Sequence, residues 1–146
     1  PTSPFSYNLY YTKATPGTLA FTLTATNVAG NTDMHTASVS WLNKIYHGSA
    51  TKYVSGALDQ FILSLPQSNL ASARQTTFTS TPGSGENIYF AIPTSFGVPG
   101  FYVGGFLGGL KLLSSIDVTN IYGITINYQI WESDHSNLGE TIITVV

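Results

Sequence analysis

The side chains best suited to chemistry gather in one short stretch, Glu132, Asp134, His135 and Glu140, while the other two histidines, His35 and His47, lie far from it along the chain. Carboxylates and imidazoles bind metals and carry protons, so the spacing of this stretch decides which chemistry is open to it. A calcium loop needs acids at alternate positions, a late bidentate glutamate and flanking helices, and none of that pattern is present. Zinc needs two or three converging histidines, and the three here are scattered in sequence. Asp33 and His35 form a smaller group of the same kind, and both groups read as solvated turns. No Gly-x-Ser-x-Gly elbow singles out a serine nucleophile. Seven acidic residues offer no privileged pair for two-carboxylate glycoside hydrolysis. The glycine-paired run Gly104 to Gly109 is no phosphate loop, because no Gly-Lys-Ser/Thr follows it. The chain therefore reads as a non-enzyme with no cofactor and no metal.

The composition narrows the class further. Only 8% of the 146 residues are charged, against about 25% in an ordinary soluble domain, so solubility rests on hydroxyls and amides. A net charge of -2 spread over so few groups supplies no basic patch for nucleic acid and no polybasic segment for an anionic membrane. No apolar run approaches the roughly 20 residues of a membrane span, so membrane insertion is not expected. With no cysteine there is neither a disulfide framework nor a thiolate metal site. Few charges beside 42% apolar and 13% aromatic residues suit a surface partly covered by copies of the same chain, which predicts a homo-oligomer. The plainer cause is that an all-β chain uses Thr and Ser where a helical one uses Glu and Lys.

The elements that must position these residues are strands. Asn87 to Pro93 carries apolar and aromatic side chains on both faces, so it reads as a central strand buried on both sides, covered by sheets formed from the more alternating chain around it. Tyr7, Leu9 and Tyr11 alternate within a first strand, Phe5 to Thr12. Leu19, Phe21, Leu23 and Ala25 then point one way and Thr18, Ala20, Thr22, Thr24 and Thr26 the other, which predicts a strand with one packed and one wet face. An antiparallel return runs through Ala37, Val39 and Trp41, with Trp41 as a core anchor. It continues through Tyr46 and His47, where His47 is either a ligand contact or a hydrogen-bonded residue at the strand end. Leu58, Phe61, Ile62 and Leu65 share a helical face, so one short helix or an irregular crossover ends at Pro66. Gln75 to Ser80 should pair near the central strand. The glycines of 104 to 109 permit bulges, sharp twist or close backbone approach. Ile116 and Val118 lead through Tyr122-Gly123 into a strand with Ile124, Ile126, Tyr128 and Ile130 on one face and Thr125, Asn127, Gln129 and Trp131 on the other. Glu132 to Gly139 reads as a turn, and Glu140 to Val146 as a terminal strand.

Roughly nine strands with turn signals every 8 to 12 residues predict an all-β fold, an antiparallel β-sandwich of jelly-roll type, with an immunoglobulin-like sandwich as the second choice. Residues 1–17 read as a linker-like start and first strand, and residues 18–146 as a single sandwich domain. The opening Pro1-Thr2-Ser3-Pro4 has no signal-peptide character and suits a domain cut from, or hinged to, a longer polypeptide.

Three passages together resemble the C-terminal domains of tailed-bacteriophage fibre and tail structural proteins. They are Ser40-Trp41-Leu42-Asn43-Lys44-Ile45-Tyr46-His47-Gly48-Ser49; Asn87 to Pro93 with Phe96-Gly97; and Gly123 to Ser133, followed by a Gly and the terminal Thr141 to Val146. Together they cover most of the chain from Thr18 on, and each is mainly a packing signature. The resemblance implies a virion protein, a distal β-domain, usually a homotrimer, that contacts the host surface or completes the tail. If such a domain binds a host cell-surface receptor, glycan or protein, exposed aromatics are the physical candidates, because a flat ring offers area to a sugar face at small entropic cost. Trp131 is the first candidate, with Asp134 and His135 as hydrogen-bonding neighbours and Tyr46 and His47 as further contacts. Burial at a subunit contact is the competing role for Trp131. A purely structural virion domain and a carbohydrate-binding module are the alternatives.

Overall fold

The computed structural model describes residues 16–120 and 123–146. The expected strand Phe5 to Thr12 and Tyr122 of the expected turn lie outside the described residues. Among these there are eleven strands, one short helix and one 3-10 turn: β1 (Gly17–Thr26), β2 (Thr32–Trp41), β3 (Asn43–Thr51), α1 (Leu58–Leu63), β4 (Gln67–Ala71), β5 (Thr76–Ser80), β6 (Glu86–Pro93), the 3-10 turn (Thr94–Phe96), β7 (Phe101–Val103), β8 (Phe106–Leu107), β9 (Leu110–Thr119), β10 (Thr125–Ser133) and β11 (Thr141–Val145).

A five-stranded sheet in the order β4-β3-β6-β10-β9 packs on a four-stranded sheet in the order β5-β11-β7-β8, and every described pairing is antiparallel. The chain passes between the layers repeatedly, and β11 inserts between β5 and β7. This is the all-β sandwich that the alternation predicts, built with the crossing connections of a jelly roll.

The strand β6 occupies the middle of the larger sheet, and from Asn87 to Pro93 every residue is buried. Ile88, Phe90 and Ile92, with Ile45 of the neighbouring β3, face the second sheet, where they meet Phe78, Phe101, Ile143 and Val145. A chain of rings runs through this layer: Phe78 stacks on Phe90 at 5.7 Å, Phe90 meets Phe101 edge-on at 5.7 Å, and Phe101 meets Trp131 at 5.1 Å. Tyr89 and Ala91 face the opposite way, into a second cluster with Ile62, Leu65, Val118, Tyr128 and Ile130. That face is covered by α1, not by a sheet, and the flanking alternating strands lie beside β6 in its own sheet. The short-helix alternative for Leu58 to Leu65 is therefore the observed one, and it is the element that makes β6 two-sided. Each buried Ile or Phe in these layers contributes about 1.5–3 kcal/mol.

Two pairings depart from expectation. The strand β5 joins β11 in the smaller sheet instead of lying near β6. β1 and β2 form a separate ribbon of ten unbroken cross-strand pairs that joins neither sheet. Neither strand holds a buried residue, so the face carrying Leu19, Phe21 and Leu23 is not packed as the alternation predicts. Hydroxyl pairs Thr18–Ser40, Thr22–Thr36 and Thr26–Thr32 bridge its other face at 2.9, 3.3 and 3.2 Å. Its turn is fixed by Asn27, whose Oδ1 accepts from the Ala29 and Asn31 amides. Trp41 is half-buried at the ribbon's base, so the sandwich proper begins at β3.

Candidate functional site

The loop that holds Asp134 and His135 is pinned from below. Ser133 is fully buried at the end of β10; its Oγ accepts from the Ile88 amide at 3.0 Å and donates to the His135 carbonyl at 2.7 Å. Asn87 Nδ2 donates to the Ser133 carbonyl at 2.9 Å, and the Asp134 amide donates to the Gly109 carbonyl at 2.9 Å. Further on, Asn137 adopts a left-handed backbone with φ 60, accepts from the Gly85 amide at 2.6 Å and donates its own amide to the Glu86 carbonyl at 3.2 Å. Hydrogen bonds to two neighbouring segments, residues 85–88 and Gly109, thus hold the loop that carries His135.

Beside this loop stands a small hairpin. Val103 pairs with Phe106 across Gly104 and Gly105, whose φ of 57 and 87 are the left-handed values that a tight two-residue turn demands. The Gly104 amide donates to the Ile142 carbonyl at 2.9 Å and the Gly108 amide to the Phe101 carbonyl at 2.8 Å, so both ends are tied to the smaller sheet. At Gly109 a Cβ would lie 2.8 Å from Val103 Cγ2, so the chain closes under the hairpin only because that residue is glycine. The result is a pair of large apolar side chains held in water: Phe106 is 81% exposed and Leu107 76%. Between hairpin and loop lies an open cleft of about 200 Å³, lined by Val103, Phe106, Leu107, Gly108, Gly109, His135 and Leu138.

An apolar floor, an exposed ring and an imidazole at the rim can take a ligand with one apolar face and hydrogen-bonding edges. Phe106 offers a flat surface at low entropic cost, and His135 a donor and an acceptor. Among the described residues no three His, Asp or Glu side chains gather to hold a metal.

Of the residues singled out by sequence, only His135 lines the cleft, with Asp134 exposed next to it. Trp131 is a correction. Its ring turns inward against Phe101 and the inter-sheet layer, its Nε1 is buried, and it offers no free platform; its burial is within its own core. His47 is also corrected from a strand-end residue to a buried one. It lies within β3, its ring tilted by 32° against Phe78 at 4.2 Å, with Asn69 Nδ2 donating to its Nε2 at 3.1 Å, and burial lowers its pKa. Tyr46 is half-buried on the other face of the same strand, 5.7 Å from Tyr128. Tyr46 and His47 therefore share no surface with the cleft.

Glu132 is not part of a turn. It ends up buried in β10, where Tyr89 Oη donates to its Oε1 at 2.7 Å and Lys111 approaches Oε2 at 3.9 Å. Tyr89 Oη also accepts from the Tyr53 amide at 2.7 Å, and burial, followed by the neighbouring carboxylate, holds its pKa above the usual tyrosine value. This network joins the loop before α1 to the middle of the sheet, and its role is structural. A bulge places it: Ile130 pairs with Ser114 but Trp131 with Leu112, so Leu113 is the extra residue, and Lys111 comes opposite Glu132.

Sequence reading missed Phe106 and Leu107. The available signal was an apolar pair bracketed by two glycine pairs, Gly104-Gly105 and Gly108-Gly109, the pattern of a tight turn that carries the pair on a short hairpin. No protein-family model matches the chain, and neither a curated protein nor a solved structure matches it.

Proposed function

We infer that the chain is a virion structural protein, the distal domain of a tailed-phage fibre or tail tip, and that it attaches to the host surface through the cleft beside Phe106. The three passages that resemble fibre and tail domains give the class. The observation that carries the attachment role is the Phe106-Leu107 pair, held out in water on a hairpin anchored at both ends, next to an equally anchored His135. Exposed apolar side chains cost solubility, and a clustered pair on a rigid support marks a contact site more often than chance exposure does. The ligand class that fits is a neutral surface glycan, whose CH face stacks on the Phe106 ring while its hydroxyls meet His135.

The test is binding of the full chain to an array of immobilised bacterial surface polysaccharides. Binding is expected to fall at least tenfold, about 1.4 kcal/mol or more, in Phe106→Ala and in His135→Ala, with the unfolding midpoint unchanged because both side chains are exposed. Binding that persists in both variants, or no binding to any glycan, sinks the attachment role. The purely structural reading is favoured by a separate observation, the uncovered ribbon of β1 and β2. Under that reading Phe106 and Leu107 are covered by a neighbouring subunit, and their replacement lowers the assembled mass.

A further inference from the structure

We propose that the attachment site continues past the cleft onto the outer face of the smaller sheet, so that its ligand is an extended, uncharged polysaccharide chain with Tyr102 as its second stacking platform. The proposal rests on the attachment reading above and deepens it by fixing the length and charge of the glycan.

Four residues in a row carry the inference. The register sets Thr77 opposite Thr144, Thr144 opposite Tyr102 and Tyr102 opposite Leu107, one residue from each strand of the smaller sheet. Phe78, Ile143, Val145 and Phe101 of the same strands are buried between the sheets, so by period two this row points the other way, into water. Directly opposed side chains stand about 5 Å apart, and the row therefore runs roughly 15 Å across the strands. Tyr102 within it is 38% exposed, flanked by Leu107 on one side and by the half-buried Thr144 and exposed Thr77 on the other. Ile142, 55% exposed, and its partner Thr79 form a second row alongside. Leu107 joins this face to the cleft, because it lines the cleft with Phe106 and His135 and is also the cross-strand partner of Tyr102. β8 is the edge of its sheet and only two residues long, so a chain seated on Phe106 reaches Tyr102 by passing round it.

Composition selects the occupant. The strands β5, β7, β8 and β11 hold no Asp, Glu, Lys, Arg or His, and Glu140 and Arg74, the nearest ionisable residues before β11 and β5, stand beyond the strand ends. A charged polymer laid along the row would give up water and meet no counter-charge there, a cost that a neutral one avoids. Hydroxyls are free to receive it. Opposed hydroxyls bond each other on the ribbon and between Thr119 and Thr125, but the opposed pair Thr77 and Thr144 does not. Among the described residues neither these two nor the Tyr102 hydroxyl has a protein partner. Ring and aliphatic surface interspersed with hydroxyls suits the CH and OH groups of a sugar chain. A second copy of the chain is the poorer fit, because the face measures about 15 Å by 17 Å, roughly 250 Å², against roughly 800 Å² per partner in a stable protein interface.

The experiment takes a polysaccharide that the full chain retains on the array, cuts it by partial acid hydrolysis into size-sorted fragments, and measures the affinity for each by calorimetry. Affinity is expected to rise at least tenfold from single sugars and disaccharides to fragments of about six sugars. Tyr102→Ala and Thr77→Arg are expected to abolish that rise while binding the shortest fragments as the wild type does, and Tyr102→Phe to keep it. Near-ultraviolet circular dichroism of the core stays constant in Thr77→Arg, whose site is exposed. Phe106→Ala is expected to weaken fragments of every length. Wild-type affinity that is independent of length overturns the proposal, as does a rise that survives in Tyr102→Ala or in Thr77→Arg, or a preference for charged over neutral polysaccharides. A lower assembled mass in Tyr102→Ala with the length dependence intact also overturns it, because the face is then a contact between copies. In each of these cases loss of binding in Phe106→Ala leaves the cleft reading standing, whereas no binding to any polysaccharide sinks both.

Discussion

His47 is the residue whose placement has the clearest measurable result. It is neutral by burial, its Nδ1 has no partner, and Phe78 lies on its ring. Its folded pKa is depressed, so on acidification the unfolded chain takes up the proton first. The stability it lends is complete above the ordinary histidine value of 6.5 and is lost as pH falls below that value towards the lower folded one. Urea unfolding is expected to show stability constant from pH 8 to about 7 and then falling, by up to about 1.4 kcal/mol per pH unit, with that slope abolished in His47→Phe. The same residue shows why sites are harder to read than folds. A histidine in Tyr-His-Gly looks like a strand ending in a loop, and only the cross-strand partner Phe90 and the overlying Phe78 reveal it as core. Trp131 was misplaced for a related reason: period two gives opposite faces but not which of them is wet, and here both faces of β10 are packed.

Elements were legible where the pattern was local. Two-sided apolarity located β6, strict alternation located β10, and three-and-four spacing located α1. What covers an element is not local, and it was there that expectation failed. β5 pairs with a strand more than sixty residues away, and the alternation of β1 is the same whether its apolar face meets a core or another molecule. Glycine positions show the same division. Gly48 has φ 140, and a Cβ there would lie 2.5 Å from Pro66 Cγ, because the crossover that ends α1 passes directly over β3. Gly48→Ala combines backbone strain with overpacking and is expected to cost about 2–4 kcal/mol in urea unfolding. Gly56→Ala, with φ 118 but open space around it, carries the strain alone and is expected to cost about half as much. Equal losses would show that the contact with Pro66 is soft.

At the scale of the whole molecule the chain carries a sandwich and a ribbon that share no strand pairing. The sandwich is knit by strands that cross between layers, so β6 and β10 can open only when both sheets separate, whereas among the described residues β1 and β2 pair only with each other. Amides of the two central strands are expected to exchange with deuterium through global unfolding, and those of residues 17–41 through a far cheaper local opening. Ribbon protection that equals that of β6 in dilute solution would contradict this division. The chain also carries its own reporters of the difference, because its two tryptophans fall one on each side. Trp41 emits from the root of the ribbon and Trp131 from the end of the aromatic relay between the sheets. A Trp41→Phe protein is therefore a single-fluorophore gauge of the sandwich and a Trp131→Phe protein a gauge of the ribbon, and a denaturant titration of the pair would display two midpoints where the parent displays a blurred one.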